Sequence, residues 1–181
     1  MPTDEDNDAA DAPNPGRKHR RRDVPLVTSE DLASLSEEWA ALHAAVPGAA
    51  VFSHPDWYHN WMAHFGATAA PVWLSVRVEE ALVGVVPLEF VETGARLHGD
   101  PNAQDCHGIL VRPGAEQAVA EGLLEWLWED LTESVELWGV RVSDPLRTAL
   151  NAAAARLGWT SSEEHESADP DILTLRLTQK R

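Results

Sequence analysis

Residues 72–90 leave this chain little freedom. Val72, Leu74, Val76 and Val78 alternate with Trp73, Ser75 and Arg77, the two-residue period of a strand with one apolar face. Glu79-Glu80 reads as a turn and 82–90 as the returning strand, with Pro87 marking an irregularity or an edge position. Outside this hairpin the period changes. Leu32, Leu35, Trp39 and Leu42 repeat at helical spacing, and Pro47-Gly48 stops them. Thr28 with Asp31 forms the expected cap pair, with Val27 stapled onto Leu32. Ser53 with Asp56 is expected to open a second helix, with Pro55 in its first turn and Phe52 against Trp57. Trp57, Trp61, His64 and Phe65 share a face of it, and Gly66 ends it.

The second half alternates in the same way. A short strand at 96–98, a loop at 99–105 and a strand at 106–111 lead to a helix at 116–131 carrying Val119, Leu123, Trp126 and Leu127 inward. A buried strand at 135–140 precedes a helix capped by Ser143, with Leu146, Leu150, Ala153 and Leu157 facing the core and Gly158 closing it. The last strands are 159–160 and 172–177, separated by a polar acidic loop. The fold class is therefore α/β (α+β).

Residues 1–23 are expected to be a disordered tail and 24–181 one domain. The tail is acidic at first (Asp4, Glu5, Asp6, Asp8, Asp11), then basic from Arg17 to Arg22, and after Met1 it holds no apolar residue larger than Ala. A formal net charge of -16 argues against a general nucleic-acid binder, because phosphate binding needs a basic surface. One cysteine, Cys106, rules out an internal disulfide. No apolar run approaches the ~18 residues of a spanning helix. The expected location is the cytoplasm.

Several stretches, in order, resemble the acyl-CoA N-acyltransferase (GNAT) superfamily. Val83-Gly-Val-Val-Pro-Leu88 is similar to its third-strand pattern. Ile109-Leu-Val-Arg-Pro-Gly114 before an Ala- and Leu-rich helix resembles its strand-to-helix passage at the cofactor. Ala154-Ala-Arg-Leu-Gly-Trp159 resembles its late helix-ending motif. Val51-Phe-Ser-His-Pro-Asp-Trp57, followed by Trp61 and Phe65, resembles the opening of tandem CelD-type and FemAB-like proteins. The resemblance implies a single GNAT-like domain with a central mixed, mostly antiparallel sheet flanked by helices, and acyl transfer from acyl-CoA (acetyl-CoA, or a related donor) to the amine of a small-molecule substrate. It places the cofactor on Val111, Arg112, Gly114 and Ala115. It also implies that this chain matches the first of two GNAT-like halves, with a second half or a homodimer covering an apolar face left by the last strand.

The residues depart from that pattern at the chemistry. Arg112-Pro-Gly-Ala-Glu-Gln117 supplies one glycine, a proline without an N–H, and Glu116, which suits the helix dipole and repels a phosphate. Ala154 stands where many members carry a general-acid Tyr. Candidate catalytic residues are Asp105 and His107, which would share a strand face; Cys106 would point to the other. Trp57 and Trp61 are expected as core, and as a substrate pocket if exposed. His54, His59 and His64, spaced by five, do not share a helical face, so no metal is expected. Three functions stay open: the first half of an acyltransferase, a non-catalytic binding or assembly module, and a self-sufficient small acetyltransferase.

Overall fold

A computed structural model describes residues 25–66, 70–92, 94–100, 106–129 and 132–180. The expected tail at 1–23 and the candidate Asp105 lie outside the described residues. The order is β1 (Leu26–Glu30), α1 (Leu32–Ala45), a 3-10 turn (Val51–Ser53), α2 (Pro55–Phe65), β2 (Pro71–Val78), β3 (Ala81–Val91), β4 (Gly94–Leu97), β5 (Leu110–Val111), α3 (Glu116–Glu129), β6 (Ser134–Arg141), α4 (Pro145–Leu157), β7 (Trp159–His165) and β8 (Ile172–Gln179). The strands form one eight-stranded sheet in the order β1-β2-β3-β4-β6-β8-β7, and β5 pairs β3. Among the described ladders only β4–β6 is parallel. The expected mixed, mostly antiparallel sheet flanked by helices is what the chain forms.

The β2–β3 hairpin turns on Glu79 and Glu80, whose φ values of 49° and 70° match the twist of a tight hairpin turn. Its irregularity lies at the turn end and not at Pro87. The register shifts between Val76 and Arg77, so Leu82 and Val85, three apart, both face α1 and α2. Pro87 lies in an interior strand. Its carbonyl accepts the His98 N–H at 3.0 Å, so its nitrogen faces the end of β4, where no ladder bond is demanded of it.

Several local expectations fail, for identifiable reasons. Thr28 caps nothing: residues 26–30 pair with β2, and the Glu30 carboxylate accepts from the Ser75 hydroxyl and from Arg77 at 3.2 Å. Val27 packs into the core beside α3 instead of stapling Leu32. α1 starts after Asp31, whose side chain makes no cap. His54 and Asp144, not Ser53 and Ser143, cap α2 and α4, because each precedes a proline that occupies the first helical position. The acidic segment expected as a loop is edge strand β7, where Glu163 takes a bidentate pair from Arg147 at 2.7 and 2.8 Å.

The sheet has two unlike faces. On one, α3 and α4 bury Leu74, Val86, Leu88, Leu97, Val135, Leu137, Leu173, Leu175 and Leu177. On the other, α1 and α2 cover the β1–β3 end with Leu35, Trp39, Leu42 and Tyr58 over Trp73 and Val85. Beyond them that face carries one row of charge: Glu89, Arg96, Glu136 and Arg176 are successive register partners, joined by ion pairs of 2.5 Å (Arg96–Glu89) and 2.6 Å (Arg176–Glu136). The expectation that the last strand leaves an apolar face open is therefore wrong. Leu173, Leu175 and Leu177 lie under helices, and the uncovered face is ionic. No helix among the described residues is long and apolar enough to cross a membrane.

Trp39 is fully buried, donates its indole N–H to the Ser53 carbonyl at 2.7 Å, and packs on Tyr58 and Trp73. Trp61, expected in the core, is only half-buried on the outer side of α2. Trp39→Ala is expected to cost about 3–5 kcal/mol in urea unfolding and Trp61→Ala no more than about 1.5. Equal losses would refute this placement of the two rings.

Candidate functional site

The site arises where the sheet opens. β4 and β6 run parallel over Ala95↔Val135 and Arg96↔Glu136, then separate. β4 ends at Leu97, β5 resumes on β3, and β6 bulges between Leu137 and Val140 with Gly139 at φ 68°. The Cys106–His107 segment enters the gap, and the His107 N–H donates to the Gly139 carbonyl at 3.1 Å. A Cβ at Gly139 would sit 2.8 Å from the His107 nitrogen. The result is a crevice of about 450 Å³ at the carboxyl ends of β5 and β6, beside the N-termini of α3 and α4. Residues 46–50, between α1 and the 3-10 turn, form its other wall. Crevices at such strand ends are where open α/β sheets bind ligands.

His107 lines this crevice, but its partner is Asp144, which reading of the sequence did not single out. The Nε2 of His107 lies 2.6 Å from the Asp144 Oδ2, and its Nδ1 accepts the Ile109 N–H at 3.2 Å. An accepting Nδ1 puts the proton on Nε2, donated to Asp144. Both ring nitrogens are then occupied, and the imidazole holds a loop rather than a substrate proton. Asp144 also caps α4, its Oδ1 accepting the Leu146 N–H at 2.8 Å. Burial pushes its carboxyl upward, but its contacts with His107 and the Leu146 amide outweigh that, leaving it below the ordinary aspartate range. Cys106 and His107 both line the crevice, because residues 106–109 are not a strand and the opposite-face expectation does not apply.

The expected cofactor residues follow. Val111 lines the crevice. Arg112 turns away, donating its guanidinium to the Leu82 carbonyl at 3.0 Å. Gly114 adopts φ 89°, which glycine tolerates, and Ala115 packs against the core. The Gly114 N–H, just before α3, donates to the Glu116 carboxylate at 3.1 Å, so one amide at the helix entrance is held by the chain's own anion. Ala154 is buried in α4.

Trp57 and Trp61 lie outside this crevice. With Asn60, His64, Phe65 and Asp100 they line a separate groove of about 420 Å³. Phe52, Trp57, Trp61 and Phe65 form a ladder with ring centroids 4.9, 6.4 and 4.8 Å apart. No group of three or more His, Cys, Asp or Glu among the described residues converges as metal ligands would. The missed residues are Asp144 and Arg141, both lining the crevice. Asp144 had a signal in the sequence, an aspartate directly before a proline that opens a helix. Arg141 had none.

Because its folded pKa is depressed, Asp144 contributes stability present above the ordinary aspartate pKa and lost as pH falls through the lower folded value. Asp144→Asn is therefore expected to lower stability at pH 7 by about 1 kcal/mol, with the deficit shrinking below a pH of about 4. Thermal melts across pH check this; a deficit independent of pH would show that the contacts with His107 and the Leu146 amide do not favour the ionised carboxylate.

No protein-family model matches the sequence, and no curated protein matches it. Solved structures do. The ribosomal-protein-S18-alanine N-acetyltransferase from Escherichia coli aligns with TM-score 0.52 and 13% identity over 86% of this chain and 92% of that one. A probable acetyltransferase (GNAT family) from Chromobacterium violaceum gives 0.53 and 14% over 88% of each. The N-acetyltransferase PseH of Campylobacter jejuni, in complex with acetyl coenzyme A, gives 0.53 and 15% over 86% of this chain and 100% of that one. At such identities the likeness is one of fold: this chain has the fold of the GNAT-family acetyltransferases.

Proposed function

We propose that this chain works in N-acyl transfer as the first half of a CelD/FemAB-like tandem acyltransferase. The acyl group of acyl-CoA, or a related donor, reaches an amine at a paired unit, while the donor crevice of this half stays shut. The fold supports acyl transfer in general, since similar structures are named for acetylating an alanine or bind acetyl coenzyme A. The carrying observation for the closed half is the Glu116 carboxylate on the Gly114 N–H. A pyrophosphate needs free amides at a helix entrance. Here Pro113 has no N–H, the Gly114 amide is taken, and a negative charge stands where phosphate oxygens would go. Proton transfer is equally unprovided, with both nitrogens of His107 occupied and Ala154 inert.

A second reading is a binding or assembly module that keeps the fold without chemistry. The His107–Asp144 clasp favours it, since it orders the crevice wall without presenting a reactive group. Both readings take 24–181 as the folded unit, and removal of residues 1–23 is expected to leave the melting temperature nearly unchanged. Purification of the tagged chain from its native cells separates them: a partner that binds acyl-CoA supports the half-enzyme, and one without donor affinity supports the module.

Calorimetric titration with acetyl-CoA is expected to give no saturable heat with the parent chain. Glu116→Ala, which frees the Gly114 amide and removes the charge, is expected to bind more tightly than the parent. Micromolar binding by the parent would overturn the closed half and favour a self-sufficient acetyltransferase.

A further inference from the structure

The described residues hold seven arginines, and six have partners. Arg77, Arg96, Arg147, Arg156 and Arg176 pair with carboxylates, and Arg112 with a carbonyl. Arg141 has no side-chain hydrogen bond or ion pair, in a chain with 30 acidic and 14 basic residues. With carboxylates so abundant, an unpaired guanidinium calls for explanation. Arg141 is the last residue of β6, exposed, and it lines the crevice between β5 and β6.

The other polar groups there are engaged internally. Asp144 holds His107 and the Leu146 amide, Glu116 holds the Gly114 amide, and the Ser53 hydroxyl donates to the Ala50 carbonyl at 2.8 Å. Val46, Ile109, Leu110 and Leu146 give apolar walls. The crevice thus offers a ligand one uncommitted cation and a hydrocarbon surface.

We propose that this crevice binds a small apolar carboxylate, with Arg141 as its anchor. The guanidinium fork fits a carboxylate in a bidentate pair. A phosphate dianion fits less well: it needs several donors, Pro113 and Pro145 have no N–H, the Gly114 and Leu146 amides are engaged, and Glu116 and Asp144 repel a second charge. A volume of about 450 Å³ accommodates a branched chain of a few carbons. The carboxyl could belong to a free acid or to an amino acid, and both present the same anion. The assignment stands independently of acyl transfer, since it concerns binding alone.

The test is calorimetry on the full chain at pH 7 with 4-methylpentanoate, its amide and leucine. The acid is expected to bind at least about tenfold more tightly than the amide, the scale of a charge-assisted hydrogen bond. Arg141→Gln should reduce the acid to the level of the amide, and Arg141→Lys should restore only part of the difference. An unchanged melting temperature for R141Q separates lost binding from lost fold. Leucine above 4-methylpentanoate assigns the carboxyl to an amino acid, and the reverse order assigns it to a free acid. The proposal is overturned if the amide matches the acid, if R141Q binds like the parent, or if neither acid nor leucine binds.

Discussion

The architecture depends on the short parallel ladder between β4 and β6. Two registered residue pairs join the strands of the N-terminal half to those of the C-terminal half. A parallel pair cannot be closed by a tight turn, so the chain must cross over, and α3 is the crossing element. The crossover brings the N-terminus of α3 to one edge of the opening and, after β6, the N-terminus of α4 to the other. The crevice is a consequence of ending the ladder early, which β4 does at Leu97 and β6 does by bulging at Gly139.

An opened ladder exposes backbone groups that must find partners. The Gly139 carbonyl takes the His107 N–H, and the His107 ring holds the Ile109 amide and Asp144. The Gly114 amide is met by Glu116 and the Leu146 amide by Asp144. These contacts hold the crevice walls and engage polar groups that line it.

The two sheet faces divide the labour of solubility and packing. Alternation buries the odd-numbered leucines of β8 under helices and turns Arg176 outward onto Glu136. The uncovered half of the other face thereby carries a row of alternating charge, which satisfies itself across strands. On α2, Phe65 is 67% accessible at the end of the aromatic ladder.

Local period and composition alone determined that residues 72–90 form a hairpin and that helices flank it, because each follows from neighbouring residues; a proline at 113 and an acid at 116, at the start of α3, were legible in the same way. The caps at His54 and Asp144 were legible too, through the prolines after them, although serines one residue earlier drew attention away. Residues 26–30 and β7 were not legible. A five-residue segment with Thr and Ser suits a cap as well as a strand, and only the β2 edge decided between them. Nor could the sequence pair His107 with Asp144, 37 residues apart, or leave Arg141 alone among carboxylates. Those relations depend on where the parallel ladder stops, a long-range contact with no local signature, and so the tertiary structure decided what the crevice presents.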